Sequence, residues 1–211
     1  MKKSILFIAV VAVCLGIGVN GYKDQRKSER MLQTSDVDQQ EKKSPEISYM
    51  SPSYVFDHED LEYYIRFADY VFEAEVQNIE QTDYENKQVI DGKEISTPYT
   101  WYKVKVMQGL KGTLKEGQEL LVKKLGGLSE DGNTYFLCEN DLILQKGNKY
   151  VFMGFVQKNG ELLVAGENST IESGSKEADE VQDKVSVAEE KGDIEMKRYK
   201  LGEDSLLKYG E

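Results

Sequence analysis

The sequence predicts a mainly β fold: a small antiparallel barrel with one helix before it and one helix after it. About six short strand patterns, most of them alternating polar and apolar residues, follow one another between residues 70 and 165. Turn signals such as Asp91-Gly92 and Asp131-Gly132 separate several of them. A sheet this small has to be closed or covered, because open edges would pair with other chains.

The strand predictions rest on alternation and on turn residues at the strand ends. The polar segment 80–97 is predicted to be a long hairpin connection. The segment 149–157 is apolar on both faces, so we expect it to lie centrally with other elements packed on each side. The predicted strands of the barrel are 70–79, 99–107, 119–125, 134–138, 149–157 and 161–165, and a last strand is expected over 194–201.

Two helices flank these strands in the prediction. The first spans 57–68, with Asp57 as N-cap and an apolar face made by Leu61, Tyr64, Ile65 and Ala68. The second begins after the N-cap Ser175 and ends before Gly192, with a thin apolar stripe made by Ala178, Val181, Val185 and Ala188. A further short helix is expected over 204–209.

Residues 1–21 are predicted to be a signal peptide or an N-terminal anchor. Two lysines precede an apolar run of 15 residues, Ile5 to Val19. This run is shorter than the roughly 20 residues that span a bilayer, which favours a cleaved signal over an uncleaved anchor. Cys14 offers lipidation as an alternative, although Val13 stands where a small residue is wanted. Membrane contact is expected only through residues 5–19.

The rest of the chain divides into three predicted parts. These are a polar linker at 22–50, the barrel domain at 51–171 and an acidic C-terminal extension with a helix at 172–211. The predicted location is extracytoplasmic, either secreted or anchored to the outer face of the cytoplasmic membrane. Cys138 would be the only cysteine in the exported part, so no internal disulfide could form. This pattern fits a Gram-positive cell surface.

Three stretches resemble bacterial exported proteins of an OB-like type, whose fold is similar to the netrin-like barrel of the tissue inhibitors of metalloproteinases. The stretches are 68–76, then 102–106 with 110–112, then 125–127 with 142–147 and 149–155. The resemblance covers roughly residues 57–171 and implies an OB-like barrel. Inhibition in that family depends on an N-terminal cysteine that chelates zinc. The sequence lacks a cysteine in that place, so inhibition is not implied.

The composition excludes several kinds of partner and cofactor. The net charge is −11, which disfavours binding to a phosphate backbone, and no nucleic-acid partner is expected. One His and two Cys cannot supply the usual zinc or haem ligands, and no cofactor is predicted. The segment Glu139-Asn140-Asp141 offers oxygen atoms to a divalent ion, but a polar turn is the favoured interpretation.

Catalysis has only two candidate residues in the sequence, and neither is predicted to be catalytic. A hydrolase or metal-dependent envelope enzyme would have to use His58 or Cys138, and their spacing does not join them. His58 lies in an acidic first helical turn, where an exposed residue is expected. Cys138 follows an apolar strand, where a structural thiol is expected. This enzyme remains the alternative function.

The function predicted from the sequence is non-enzymatic binding of an envelope protein or a wall polymer. The candidate surface patch for an anionic wall polymer or lipid consists of Lys103, Lys105, Lys123 and Lys124, on adjacent predicted strands. The alternative is that these lysines are ordinary outward positions beside glutamates. A second alternative function is a structural accessory subunit that docks a partner through the C-terminal helix.

Overall fold

The strands of this protein wrap into a barrel, which confirms the mainly β fold class with a helix before and after it. The computed structural model describes residues 44–51, 60–194 and 197–207. Its helices are α1 (Leu61–Phe67) and α2 (Lys176–Lys191), with a 3-10 turn at Glu203–Ser205. Its strands are β1 (Glu46–Met50), β2 (Tyr70–Ile90), β3 (Lys93–Lys111), β4 (Glu119–Leu125), β5 (Gly127–Leu128), β6 (Thr134–Cys138), β7 (Lys149–Val156), β8 (Leu162–Val164), β9 (Thr170–Glu172) and β10 (Leu206–Leu207).

The barrel ring runs through β4, β3, β2, β7 and β8, and a parallel pairing of β8 with β4 closes it. The other neighbouring pairs in the ring are antiparallel. Inward-facing residues of these strands form one apolar cluster that includes Phe72, Val104 and Phe152. Closure leaves few open edges, which is how a sheet of this size becomes stable in water.

The first two strands of the barrel are much longer than the sequence predicts. The segment 80–97 is not a connection, because β2 and β3 stay paired through it to the turn at Asp91-Gly92. Asp91 and Gly92 both have positive φ values, 51° and 76°. Such a turn matches the twist of the flanking strands and favours Gly at its second position. The polar composition of 80–97 is that of a solvated two-stranded arm.

A second, smaller sheet has the order β1-β6-β5. Its β1 pairs in parallel with β6, so residues 46–50 form a strand although they were predicted to belong to the polar linker 22–50. Because β6 lies 88 residues further along the chain and pairs in parallel, no turn residues next to 46–50 indicate a strand. This is why the segment was predicted to be linker. The predicted domain boundary between 50 and 51 therefore follows directly on a paired strand.

Both helices cover the outer side of β2 and β7. Alternate residues of β7 enter the barrel core, while Val151 and Met153 pack under the helices, which confirms that 149–157 is buried on both faces. The first helix begins at Leu61 with Asp60 as N-cap, whose carboxylate accepts from the Tyr63 N–H at 3.2 Å. The predicted N-cap, Asp57, lies outside the described residues. The N-cap is Asp60 instead, so the helix begins at Leu61, later than the sequence predicts.

The described part of the C-terminal extension is built into the barrel domain. The apolar stripe of α2 is buried against α1 and the sheet, with Ser175 as N-cap and Gly192 at its end, as the sequence predicts. The predicted boundary at 171 and 172 falls inside β9, which pairs with β7. Residues 197–201 form no strand, and the described part of the helix expected over 204–209 is a 3-10 turn followed by β10. Among the described residues, none of the helices is long and apolar enough to span a membrane.

Candidate ligand-binding face

The four lysines of the predicted surface patch do not share one surface. Successive side chains of a strand point to opposite faces, so Lys123 and Lys124 on β4 diverge. In the register of β3 with β4, Trp101 is opposite Lys123 and Lys103 is opposite Leu121. Lys103, Lys105 and Lys123 therefore lie on the outer face of the barrel, while Lys124 points into it.

Lys124 is buried in the barrel and is not a surface residue. Its Nζ donates to both carboxylate oxygens of Asp141 at 2.6 Å and to the Thr170 hydroxyl at 3.1 Å. Its side chain is 3% exposed and that of Asp141 is 0% exposed. Burial raises the pKa of the Asp141 carboxyl, and the adjacent Lys124 ammonium opposes that rise. Asp141 is thus the buried counterion of Lys124 rather than part of an open polar turn.

The other three lysines differ in how much free charge they offer. Lys103 forms an ion pair with Glu119 at 2.9 Å, and both side chains are about one-third exposed. Lys105 is exposed at the end of the same face. Lys123 is only 6% exposed. The interpretation of Lys123 and Lys124 as surface charges is therefore wrong, because each is buried beside carboxylates.

Lys123 is the centre of a cluster of rings and carboxylates on the outer side of the barrel. Its ammonium lies 5.2 Å from the ring centroid of Tyr99 and 5.3 Å from that of Trp101. It donates to Glu85 at 2.5 Å and to Glu161 at 2.9 Å. Burial disfavours its charge, but the hydrogen bonds to the two glutamates outweigh that effect and raise the pKa of Lys123.

Polar side chains of β2 lie beside both rings. The Trp101 indole N–H donates to Asp83 at 2.6 Å. Burial, and then the nearby Glu85 charge, raise the pKa of the Tyr99 hydroxyl. The rings are half-buried and fixed in place. We call the following set the aromatic face: Asp83, Glu85, Tyr99, Trp101, Lys123 and Glu161.

Two open cavities flank the aromatic face, each of about 490 Å³. One lies beside Tyr99 and Lys123 and extends to the turn after β7, where it is lined by Gln157, Lys158 and Asn159. The other lies beside Trp101 and Lys103 and reaches Leu207 of β10. Strands β2, β3, β4 and β8 contribute to this surface, so the barrel scaffold fixes it.

Of the two candidate catalytic residues of the sequence, only Cys138 lies among the described residues. Cys138 is 0% exposed at the end of β6. Burial, and then the nearby Asp141 charge, raise the pKa of its thiol to about 11. A reactive cysteine needs the opposite shift. His58 lies outside the described residues, and within those residues no group of three or more His, Cys, Asp or Glu side chains is placed to hold a metal ion.

Sequence reasoning missed the aromatic face, although part of the signal was present. In the predicted strand 99–107, Tyr102, Val104 and Val106 mark the inward side, which places Trp101 with Lys103 on the outward side. A large aromatic residue on the wet side of a strand is a feature to explain. Glu85 comes from β2 and Glu161 from the turn before β8, and no local pattern reveals either contribution.

Comparisons with protein families and with curated proteins found no match. The similarity to the netrin-like barrel therefore stays a prediction from the sequence, while the barrel itself is described by its strand pairing.

Proposed function

We propose that this protein is a non-enzymatic binding module that works outside the cytoplasmic membrane and holds a component of the bacterial envelope on its aromatic face. The observation that supports this most is the set of fixed, half-buried rings around Lys123, flanked by two open cavities. Rigid aromatic groups with polar neighbours favour binding, because little conformational freedom is lost when a ligand is bound.

The proposed location rests on the sequence of residues 1–21, with its two lysines and its apolar run. The full chain, expressed in a Gram-positive host, should be recovered from the membrane fraction or the medium. A mature N terminus near Tyr22 in the medium would indicate a cleaved signal, and an intact N terminus in the membrane would indicate an anchor. Full-length protein dissolved in the cytosol would contradict the proposed location.

The proposed binding can be tested on isolated cell envelopes. The purified protein should co-sediment with envelopes in a saturable manner. The double variant His58→Ala/Cys138→Ala should bind as well as the unchanged protein if no bond-making step is involved. Loss of binding in a variant whose fold is intact, measured by circular dichroism, would favour the enzyme that uses His58 or Cys138. Absence of any saturable binding would refute the module itself.

A further inference from the structure

The aromatic face has the composition of a site for a ligand that is both apolar and rich in hydroxyl groups. Two ring systems supply flat apolar area, and the side chains beside them supply hydrogen-bond donors and acceptors in close alternation. The lysine and amide groups of Lys158, Gln157 and Asn159 border one ring, and the acidic and amide groups of Asp83 and Gln81 border the other.

The charges along this surface nearly cancel. The two cavities are lined by four acidic side chains and three lysines. Lys123 is already neutralised by Glu85 and Glu161, and Lys103 is paired with Glu119. A polyanion would therefore meet few free cations, and a polycation would meet carboxylates that already have partners. Electrostatics favour an uncharged ligand.

The shape of the surface favours a chain over a compact molecule. The aromatic face extends across β2, β3, β4 and β8, and neighbouring strands are about 4.8 Å apart, which gives a width of about 14 Å. Both cavities are open to solvent on either side of the ring pair. The aliphatic residues Leu121, Leu163 and Leu207 are half-buried at the margins of this surface, and the described residues form no deep apolar pocket there of the kind that anchors a protein side chain.

We propose that the aromatic face binds an uncharged chain of pyranose sugars, such as a glycan of the cell envelope. A pyranose ring has an apolar C–H face, which fits against an indole or phenol ring, and a rim of hydroxyl groups that both donate and accept. Trp101 and Tyr99 take the C–H faces, and the surrounding carboxylates, amides and lysines take the hydroxyl groups. This assignment names the ligand class of the function proposed above and rests on it.

The chain carries a single tryptophan, Trp101, so its fluorescence reports on the aromatic face alone. The purified protein is titrated with three neutral tetrasaccharides, namely those of N-acetylglucosamine, β-1,4-linked glucose and α-1,4-linked glucose. At least one should change the tryptophan emission saturably and keep its affinity at high salt, because no net charge is neutralised. No change with any of the three would overturn the proposal.

Variants connect the fluorescence change to the rings. Trp101→Ala should lower the affinity about tenfold or more, measured by calorimetry, since a central aromatic residue supplies much of the binding energy of such a site. Trp101→Phe keeps a ring and should lose less, which separates stacking from a folding defect. Tyr49→Ala is the matched control, because Tyr49 is an aromatic residue that is 62% exposed on β1 in the smaller sheet. Equal losses in Trp101→Ala and Tyr49→Ala would contradict the assignment.

Two further outcomes separate this inference from the proposed function. If envelopes bind the Trp101→Ala variant as well as the unchanged protein, the glycan assignment and the aromatic face as binding surface both fail, while envelope binding by the protein stands. A glycerol-phosphate polymer is the competing ligand. If it binds, and if salt abolishes its binding while neutral sugars do not compete with it, then the ligand is an anionic polymer and the proposal is wrong. If envelopes bind neither protein, both proposals fail together.

Discussion

Lys123 and Lys124 are neighbours in β4, yet they face opposite sides of the barrel and have different surroundings. Among the described residues, Asp141 is the only carboxylate that pairs with Lys124 in the barrel interior. The side chains of Lys124 and Asp141 are almost fully buried. Lys123 is held on the outside by Glu85 and Glu161, whose side chains are 45% and 27% exposed, and by two aromatic rings. Lys124 therefore depends on one buried carboxylate, whereas Lys123 contacts two carboxylates and two rings.

The difference matters because the cost of a missing counterion depends on what replaces it. Around Lys124, whose side chain is 3% exposed, Asp141 is the only carboxylate within ion-pair distance of the ammonium among the described residues. Around Lys123, the remaining glutamate, the rings and water can compensate for one lost partner. We therefore expect a large asymmetry between variants on the two sides of the same strand.

The largest effect is expected for Asp141→Ala. It leaves the Lys124 ammonium buried without a counterion, and breaking a buried pair in this way costs about 3–5 kcal/mol of unfolding free energy. Urea unfolding followed by circular dichroism measures the change. Glu85→Ala is the matched control on the outer side, where the loss should stay below about 1 kcal/mol. Similar losses in the two variants would contradict the asymmetry.

The interior should also protect Cys138, which lies near Asp141. With a pKa of about 11 in place of 9.0, the thiolate fraction at pH 8 falls about 100-fold. Alkylation of the Cys138 thiol should be slower in the native protein than in the unfolded chain by at least this factor. The native alkylation rate should rise about tenfold per pH unit up to pH 11. Mass spectrometry of the Cys138 peptide distinguishes it from Cys14. Rapid native labelling at pH 8 would show that this end of the barrel is open.

The same shift has a consequence for stability. Because the folded protein holds the Cys138 proton more tightly than the unfolded chain, unfolding free energy should fall as pH rises from about 9 to about 11. Cys138→Ala removes this contribution and should flatten that part of the pH profile. An unchanged slope in the variant would assign the alkaline loss to other groups, such as Tyr102 and Tyr135.

A smaller effect is expected when both members of the inner pair are replaced. Lys124→Met combined with Asp141→Leu fills the space with apolar groups and removes two costly charges. The double variant should lie within about 2 kcal/mol of the unchanged protein, although Asp141→Ala alone is severe. If the double variant loses as much unfolding free energy as Asp141→Ala, then the hydrogen-bond geometry of the pair is needed, and not only its charge balance.

Strand periodicity predicts the barrel well, because alternation is a local property. The segments 119–125 and 134–138 are confirmed as strands to the residue, although 134–138, predicted as a barrel strand, lies in the smaller sheet with β1 and β5. The same alternation contained the evidence against the lysine patch: Leu120 and Val122 point inward, so Lys124 must do so as well. The error arose from reading charge without applying the period of the strand.

Other features could not be predicted because their partners are distant in sequence. Asp141 meets Lys124 across 17 residues and a loop, and β1 pairs with a strand that follows it by 88 residues. The aromatic face draws Glu85 from β2 and Glu161 from the turn before β8. Such contacts depend on how distant strands pair in the folded protein, and local sequence patterns do not specify that pairing.

The smallest effect is expected at the outer lysine, and it should depend on salt. In Glu85→Gln, Lys123 keeps Glu161 and both rings, so the loss should be below about 1 kcal/mol. At 1 M salt the Debye length falls to about 3 Å, so the loss at this pair, whose Glu85 side chain is 45% exposed, should shrink further, while the loss in Asp141→Ala should stay nearly constant because both side chains of its pair are buried. Unfolding curves of the two variants at low and high salt measure both. If salt reduced the Asp141→Ala loss as much as the Glu85→Gln loss, the two lysines would share one solvated environment and the division into an inner and an outer site would be wrong.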